Sequence, residues 1–256
     1  MDVMNLDTKY KKPFLKDVIF RIDFPAPLSN LHQVLPESLH KLALTKFPIF
    51  EPQQAHSQQI RFEGPDVQTR TSQLVQWVFH GASREKTLTI DANSVVCTAK
   101  QYKGFDTFET DVLAIVSELF KLHPSLIVNR LGLRYINVLA PADNDPLSWS
   151  KYVDDKMLGI IDLQDGKDCI TRAFHILEYN YDGEMVKFQF GISNPDYPAV
   201  VRRKEFVLDI DSSHQGALEE SDIRAGIKAS HIRIKKFFEQ SITDTTRELM
   251  EPEYNE

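Results

Sequence analysis

QLVQWVFHGASREKTLTIDANSVVCTAKQY, residues 73–102, holds three apolar runs separated only by short polar turns. The first run ends at Gly81, and Asp91, Ala92 and Asn93 turn the chain between the other two. Consecutive strands with no helix between them pair antiparallel, because a parallel pair needs a crossover of a dozen or more residues. This stretch therefore sets the class of the fold.

Upstream, KDVIFRIDF (16–24) alternates Val18, Phe20, Ile22 and Phe24 with polar or outward positions, the pattern of a strand with one buried face. Pro25 and Pro27 end it. Ser29 or Asn30 can cap a helix carrying Leu31, Leu35, Leu39 and Leu42, kinked at Pro36 or beginning near it. SQQIRFEG (57–64) reads as a strand ending at Gly64 and Pro65.

Downstream, Phe108, Val112, Ile115, Leu119 and Leu122 form the stripe of an amphipathic helix over 106–123, with Glu109, Asp111 and Glu118 mostly outside it. LIVNRLGLRYINVLA (126–140) is a strand. TRAFHILEYNY (171–181) and EMVKFQFGIS (184–193) form a hairpin turning at Asp182 and Gly183, and EFVLDIDSS (205–213) is a further strand. Ile223, Ile227, Ile234, Phe237 or Phe238, Ile242 and Leu249 keep a period near 3.6, which predicts one final helix over 222–249.

The order predicts an α+β fold, a mostly antiparallel sheet or sheets with long amphipathic helices on one face. Residues 1–140 and 157–256 read as two α+β halves joined by a polar surface connection, 141–156, with one helical turn around Trp149; a single compact domain is the other division. TLTID before the first long helix echoes FVLDID before the last, as two similar halves would.

The 256 residues are 42% hydrophobic and 26% charged, the composition of a globular protein with a substantial core. A net charge of −7 argues against general nucleic-acid binding, which draws its affinity from a basic excess. Lys9, Lys11, Lys12 and Lys16, and the run Arg202, Arg203, Lys204, read as solvated charge. Two cysteines without ligand spacing, Cys97 and Cys169, fit a reducing cytoplasm. The N-terminal segment lacks a signal-peptide core, and no apolar run approaches the ~20 residues that span a bilayer. The expectation is a cytoplasmic protein off the membrane.

No histidine of the eight lies in HxxxH or HxH spacing. LDIDSSH offers the single metal candidate: Asp209 and Asp211 share a strand face and His214 follows, an oxygen-rich set suited to magnesium. Solvent-facing aspartates on a strand that turns at Asp211, Ser212 and Ser213 are the preferred account. There is no GxSxG elbow, no GxGxxG and no GxxxxGK[ST], so no nucleotide or other cofactor is expected. Asp66 has no E-x-K partner of a nuclease nearby.

NRLGLRYINV (129–138) is the most pointed motif. Along a strand Arg130, Gly132 and Arg134 share a face with Ile136 and Val138, while Leu131, Leu133, Tyr135 and Asn137 share the other. Two guanidinium groups there bind either an anion or carboxylates of neighbouring elements. With no glycine-rich loop at hand, the second account is preferred. Arg130, Arg134, Tyr135 and Asn137 are the candidate binding residues.

Together KPFLKDVIFRIDF, YKGFDTFETDVLAIVSELF, NRLGLRYINV and FVLDIDSS with SHIRIKKFFEQSITDTTRELM resemble a sporadically distributed, uncharacterised family of bacterial and archaeal proteins of about this length. The family's R-x-G-L-R-Y-I-N segment matches Arg130 to Asn137. Its C-terminal histidine and F-E-x-x-I-T match His231 and Phe238 to Thr243, and its N-terminal proline matches Pro13. Residues 12–17, KPFLKD, depart from the family's two prolines, isoleucine and glutamate. The family's patchy distribution resembles that of defence or toxin–antitoxin genes. That distribution implies an accessory-locus setting, and the lack of any catalytic constellation beside a well-formed core pattern makes a non-enzymatic interaction or sensor protein, with a protein partner encoded nearby, the expectation. The alternatives are a metal-dependent phosphoester hydrolase using Asp209, Asp211 and His214 with Arg134 on the phosphate, or a small-ligand module with Arg130 or Arg134 at the mouth of an apolar cavity. A homodimer is compatible with an exposed face on the last helix.

Overall fold

The computed structural model describes residues 8–63, 66–143, 145–159, 161 and 165–253. The strands are β1 (Lys9–Tyr10), β2 (Leu15–Asp23), β3 (Ile49–Phe50), β4 (Gln53–Glu63), β5 (Asp66–His80), β6 (Lys86–Ile90), β7 (Ser94–Ala99), β8 (Val128–Leu139), β9 (Ala173–Tyr181), β10 (Glu184–Ile192), β11 (Phe206–Leu218) and β12 (Pro252–Glu253). The helices are α1 (Glu37–Lys46), α2 (Phe105–Leu122), α3 (Glu220–Ser241) and α4 (Asp244–Leu249). The class is α+β, as the run of unhelical strands at 73–102 requires. The turn expected at Gly64 and Pro65 lies outside the described residues.

Ten strands form one sheet in the order β3-β5-β6-β7-β2-β8-β11-β10-β9, with β4 also paired to β5; β1 and β12 form a separate pair. The β5–β6, β6–β7 and β9–β10 pairings are antiparallel. From β2 the sheet runs outward through β7, β6 and β5, and from β8 through β11, β10 and β9. Each side is thus a lone strand, an excursion, a three-strand meander and a long helix. TLTID and FVLDID do not occupy equivalent places in this pattern: the first is β6, a middle strand, and the second is β11, a last one.

The described residues divide into two compact units, neither of them a continuous stretch of chain. One draws on Met1–Val18, Leu133–Ser213 and Lys228–Glu256, the other on Ile19–Gly132 and His214–Ile227. In the second, Phe20, Ile22, Phe79, Leu88, Ile90, Ile115 and Leu119 are buried. The α2 stripe supplies this core, but Asp111 on the same helix is buried too, held by Lys86 at 2.5 Å and Lys46 at 3.2 Å. Helix α1 starts immediately after Pro36, whose fixed φ and missing N–H suit a first turn.

In the other unit, two expectations fail. The segment 141–156 is not simply a polar surface connection, because Leu147, Trp149, Tyr152 and Val153 are buried; the single turn expected around Trp149 does form, with the Tyr152 and Val153 amides donating to the Trp149 carbonyl at 2.8 and 3.0 Å. Trp149 packs 5.2 Å from the Phe206 ring, centroid to centroid. Lys204, expected to be solvated, has a side chain only 5% exposed; its ammonium donates to the carbonyls of Asp145 and Ser148 and faces the Trp149 and Tyr152 rings. Asp145 and Ser148 themselves are exposed, and Lys204 ties their carbonyls to the aromatic pair beneath.

The last helix is likewise two helices. Ser241 Oγ donates back to the Phe237 carbonyl, Ile242 bridges to Val153, and Thr243 accepts the Thr246 amide to cap α4. Arg247 donates to Glu239 Oε2 at 2.9 Å and Tyr10 to Glu239 Oε1 at 2.8 Å, locking α4 against α3. The predicted stripe does not continue as a buried face through the break: Leu249, its last residue, is 45% exposed, and the buried residue of α4 is Thr246.

Burial pushes the Cys97 thiol up to about 12, against the opposing charge of Lys86, and burial followed by the Glu239 hydrogen bond raises Tyr10. The unfolded groups titrate near ~8.5 and ~10. As pH rises past ~8.5 the unfolded chain therefore releases protons that the native one retains, so stability must fall toward high pH. Alkaline unfolding curves should show this decline, attenuated in Cys97→Ala. A thiol reagent should label exposed Cys169 in the native protein and both cysteines after unfolding; rapid native labelling of Cys97 would contradict its burial. Among the described residues, no helix is long and apolar enough to cross a membrane.

Candidate functional site

The central motif lies on β8 with the two faces its alternation predicts. Leu131, Leu133, Tyr135 and Asn137 are buried, and Arg130, Arg134, Ile136 and Val138 are half-buried. Arg130 curls over Gly132: a Cβ there would sit 3.0 Å from Arg130 Nη1. Arg130 is 3.6 Å from Asp23, a carboxylate that Arg21 also holds.

Arg134 makes a bidentate pair with Asp209, Nε to Oδ1 at 2.7 Å and Nη2 to Oδ2 at 2.5 Å. That hydrogen-bonded pair, with the charges of Asp211 and Asp17, raises the guanidinium above its ordinary value. Tyr135 Oη lies 2.9 Å from His231 Nδ1, and Asn137 Nδ2 donates to the Leu208 carbonyl at 3.3 Å. The strand motif and the helix motif that carry the family resemblance thus meet at Tyr135 and His231. Glu239 and Thr243 of the second motif are those that shape the α3–α4 break.

The proposed magnesium set is arranged differently. Asp209 gives both carboxylate oxygens to Arg134. Asp211 is half-buried on a strand that continues through Ser212 and Ser213 to Leu218, so the expected turn there does not form. His214 lies against α3, its ring 3.3 Å from where a Gly226 Cβ would be. Among the described residues no group of three or more His, Cys, Asp or Glu is placed to hold a metal ion.

An open cleft of about 760 Å³ runs between the end of α2 and the start of α3, lined by Phe120, Leu126, Ile127, Glu220 and Arg224. Its arginine is Arg224, bonded to Ser117 and Glu220, and neither Arg130 nor Arg134 borders it. Of the basic runs, Arg203 chelates Asp196 at 2.9 and 3.1 Å and Lys12 pairs with Glu251.

Two features escaped sequence reasoning. The first is a buried polar chain in which Ser212 donates to Glu184 Oε1 at 2.7 Å, lies 2.8 Å from Ser230 Oγ, and Arg233 donates to Glu184 Oε2 at 3.3 Å. Nothing in the spacing of Glu184, Ser212 and Ser230 announces it, because the three come from different elements.

The second is β9. It ends the sheet, and its Ile176 and Leu177 are 54% and 45% exposed, with Glu178, Asn180 and Tyr181 exposed as well. Its inner side is anchored: Tyr179 and Tyr181 pack on Phe237 of α3, and Arg233 stacks 4.1 Å from the Tyr181 ring. Gly191 on β10 (φ 133°) permits close approach here, since a Cβ would lie 2.1 Å from the Ala173 carbonyl oxygen. The adjacent apolar pair Ile176-Leu177, out of step with alternation, was the available signal. No model of a known protein family matches this chain, and no curated protein matches it.

Proposed function

We propose that this chain is a non-enzymatic protein-interaction or sensor component of a prokaryotic accessory system of the defence or toxin–antitoxin type. The observation that carries the reading is the contrast between two surfaces. Arg134, Tyr135 and Asn137 of the motif spend their polar groups on Asp209, His231 and the Leu208 carbonyl, within the fold. The strand β9 presents apolar side chains outward and, among the described residues, a backbone edge with no strand beside it, the arrangement that strand-addition partners use. The family resemblance supports the accessory-locus setting.

Tagged protein purified from its host should bring down a different protein in stoichiometric amount. Recovery of the chain without a second protein, together with phosphoester hydrolysis abolished by Asp209→Asn, would overturn the reading.

A further inference from the structure

We propose that the open edge of β9 pairs antiparallel with β9 of a second copy, about a two-fold axis at Leu177, joining two sheets into one. The inference rests on the reading of this chain as an interaction protein and names the occupant of its exposed strand.

The equivalent strand on the other side of the sheet is β5, and it is covered: Phe79 and His80 pair with Leu88 and Thr87 of β6 on one side and with Phe50 and Ile49 of β3 on the other. β3 and β4 come from the excursion between β2 and β5. The corresponding excursion between β8 and β9 contributes only two 3-10 turns among the described residues, so β9 keeps an open side. β9 has little of the usual protection of an edge, with Glu178 its one carboxylate. It is nine residues long and contains neither lysine nor proline.

Hydrogen-bond phase and charge both select a second copy. Asp182 (φ 52°) and Gly183 (φ 98°) make a two-residue hairpin turn, in which the flanking Tyr181 and Glu184 exchange both backbone bonds. The odd-numbered residues of β9 therefore bond to β10, and Phe174, Ile176, Glu178 and Asn180 turn their N–H and C=O groups to the open edge. Self-pairing centred on Leu177 sets Phe174 opposite Asn180 and Ile176 opposite Glu178, which are all outward-bonding residues. It also sets exposed Arg172, just before the strand, opposite exposed Asp182, just after it, once at each end; Arg172 Nε already donates to the Ser193 carbonyl and its guanidinium stacks on the Tyr197 ring, which leaves its Nη groups for the partner's Asp182. Sliding by one hydrogen-bonding step either sets Glu178 against its own copy or removes the Arg172–Asp182 match. The exposed ion pairs contribute little energy and mainly set the register.

Leu177 meets its own copy at a non-hydrogen-bonded position, where Cα atoms lie ~4.5 Å apart. In a Cys169→Ser background, Leu177→Cys should form a disulfide-linked dimer on mild oxidation, whereas Ile176→Cys and Tyr181→Cys, which face other residues, should not. Light scattering of the full chain should find a dimer, and Leu177→Lys, which sets two ammonium groups face to face at an already exposed site, should raise its dissociation constant at least about tenfold. A monomeric wild type overturns the proposal, as does a dimer indifferent to Leu177→Lys and without the Leu177→Cys cross-link. A monomer that still carries a stoichiometric foreign partner overturns the self-pairing alone and leaves the interaction reading standing. A cross-linked dimer recovered with no other protein supports the self-pairing and counts against a separate partner.

Discussion

Trp149→Ala is expected to destabilise the protein by about 3–5 kcal/mol, as removal of a fully buried large aromatic does elsewhere. The indole is 1% exposed, packs on Phe206 and Tyr152, and donates from Nε1 to the Pro146 carbonyl at 2.9 Å. It is also the ring under the Lys204 ammonium, so its loss unseats the cation that holds the Asp145 and Ser148 carbonyls. Trp149→Phe keeps an aromatic face and loses the Nε1 bond, and should cost about 1–2 kcal/mol plus a smaller cavity penalty. Urea unfolding with a constant m-value is the measurement. A change in Trp149→Ala within about 0.5 kcal/mol, the range of ordinary surface substitutions, would mean that the segment is peripheral after all.

The second large effect is expected at Arg134. Removing it leaves the Asp209 carboxylate, 8% exposed, without its two hydrogen bonds. Breaking a wholly buried pair costs about 3–5 kcal/mol. Arg134 itself keeps 38% exposure, so solvent screens part of the pair and about 2–3 kcal/mol is the appropriate figure for Arg134→Ala. The double variant Arg134→Met with Asp209→Leu removes both charges and should recover most of the loss, because the cost is that of an uncompensated charge. A double-mutant cycle with no coupling between the two positions would show that the pair does not hold β8 to β11 energetically.

These two residues also mark where local sequence stops being informative. At Arg134 the strand period told which side chains share a face, and β8 has that alternation; the two accounts of its partner, an anion or a carboxylate of the chain, differed only in what lies beside the strand. Asp209 stands 75 residues away, and local pattern reads it as a metal-ligand candidate and Arg134 as an anion-binding candidate, with nothing to join the two. At Trp149 the surrounding residues PADNDPLSWSKYVDDK are mostly polar, so composition pointed to the surface. The buried residues among them are few and irregularly spaced, and the polar residues between them stay exposed.

The class of the fold follows from local sequence, because the strands at 73–102 are too close together for crossovers. So do α2, through a period near 3.6, and the 173–192 hairpin, through Asp182-Gly183. These are local matters of dihedral preference and side-chain spacing. The strand order, the break between α3 and α4, the pairing of Arg134 with Asp209 and of Tyr135 with His231, and the open side of β9 come from long-range packing. Each depends on groups distant in the chain, and neither period nor propensity carries information about what is brought alongside.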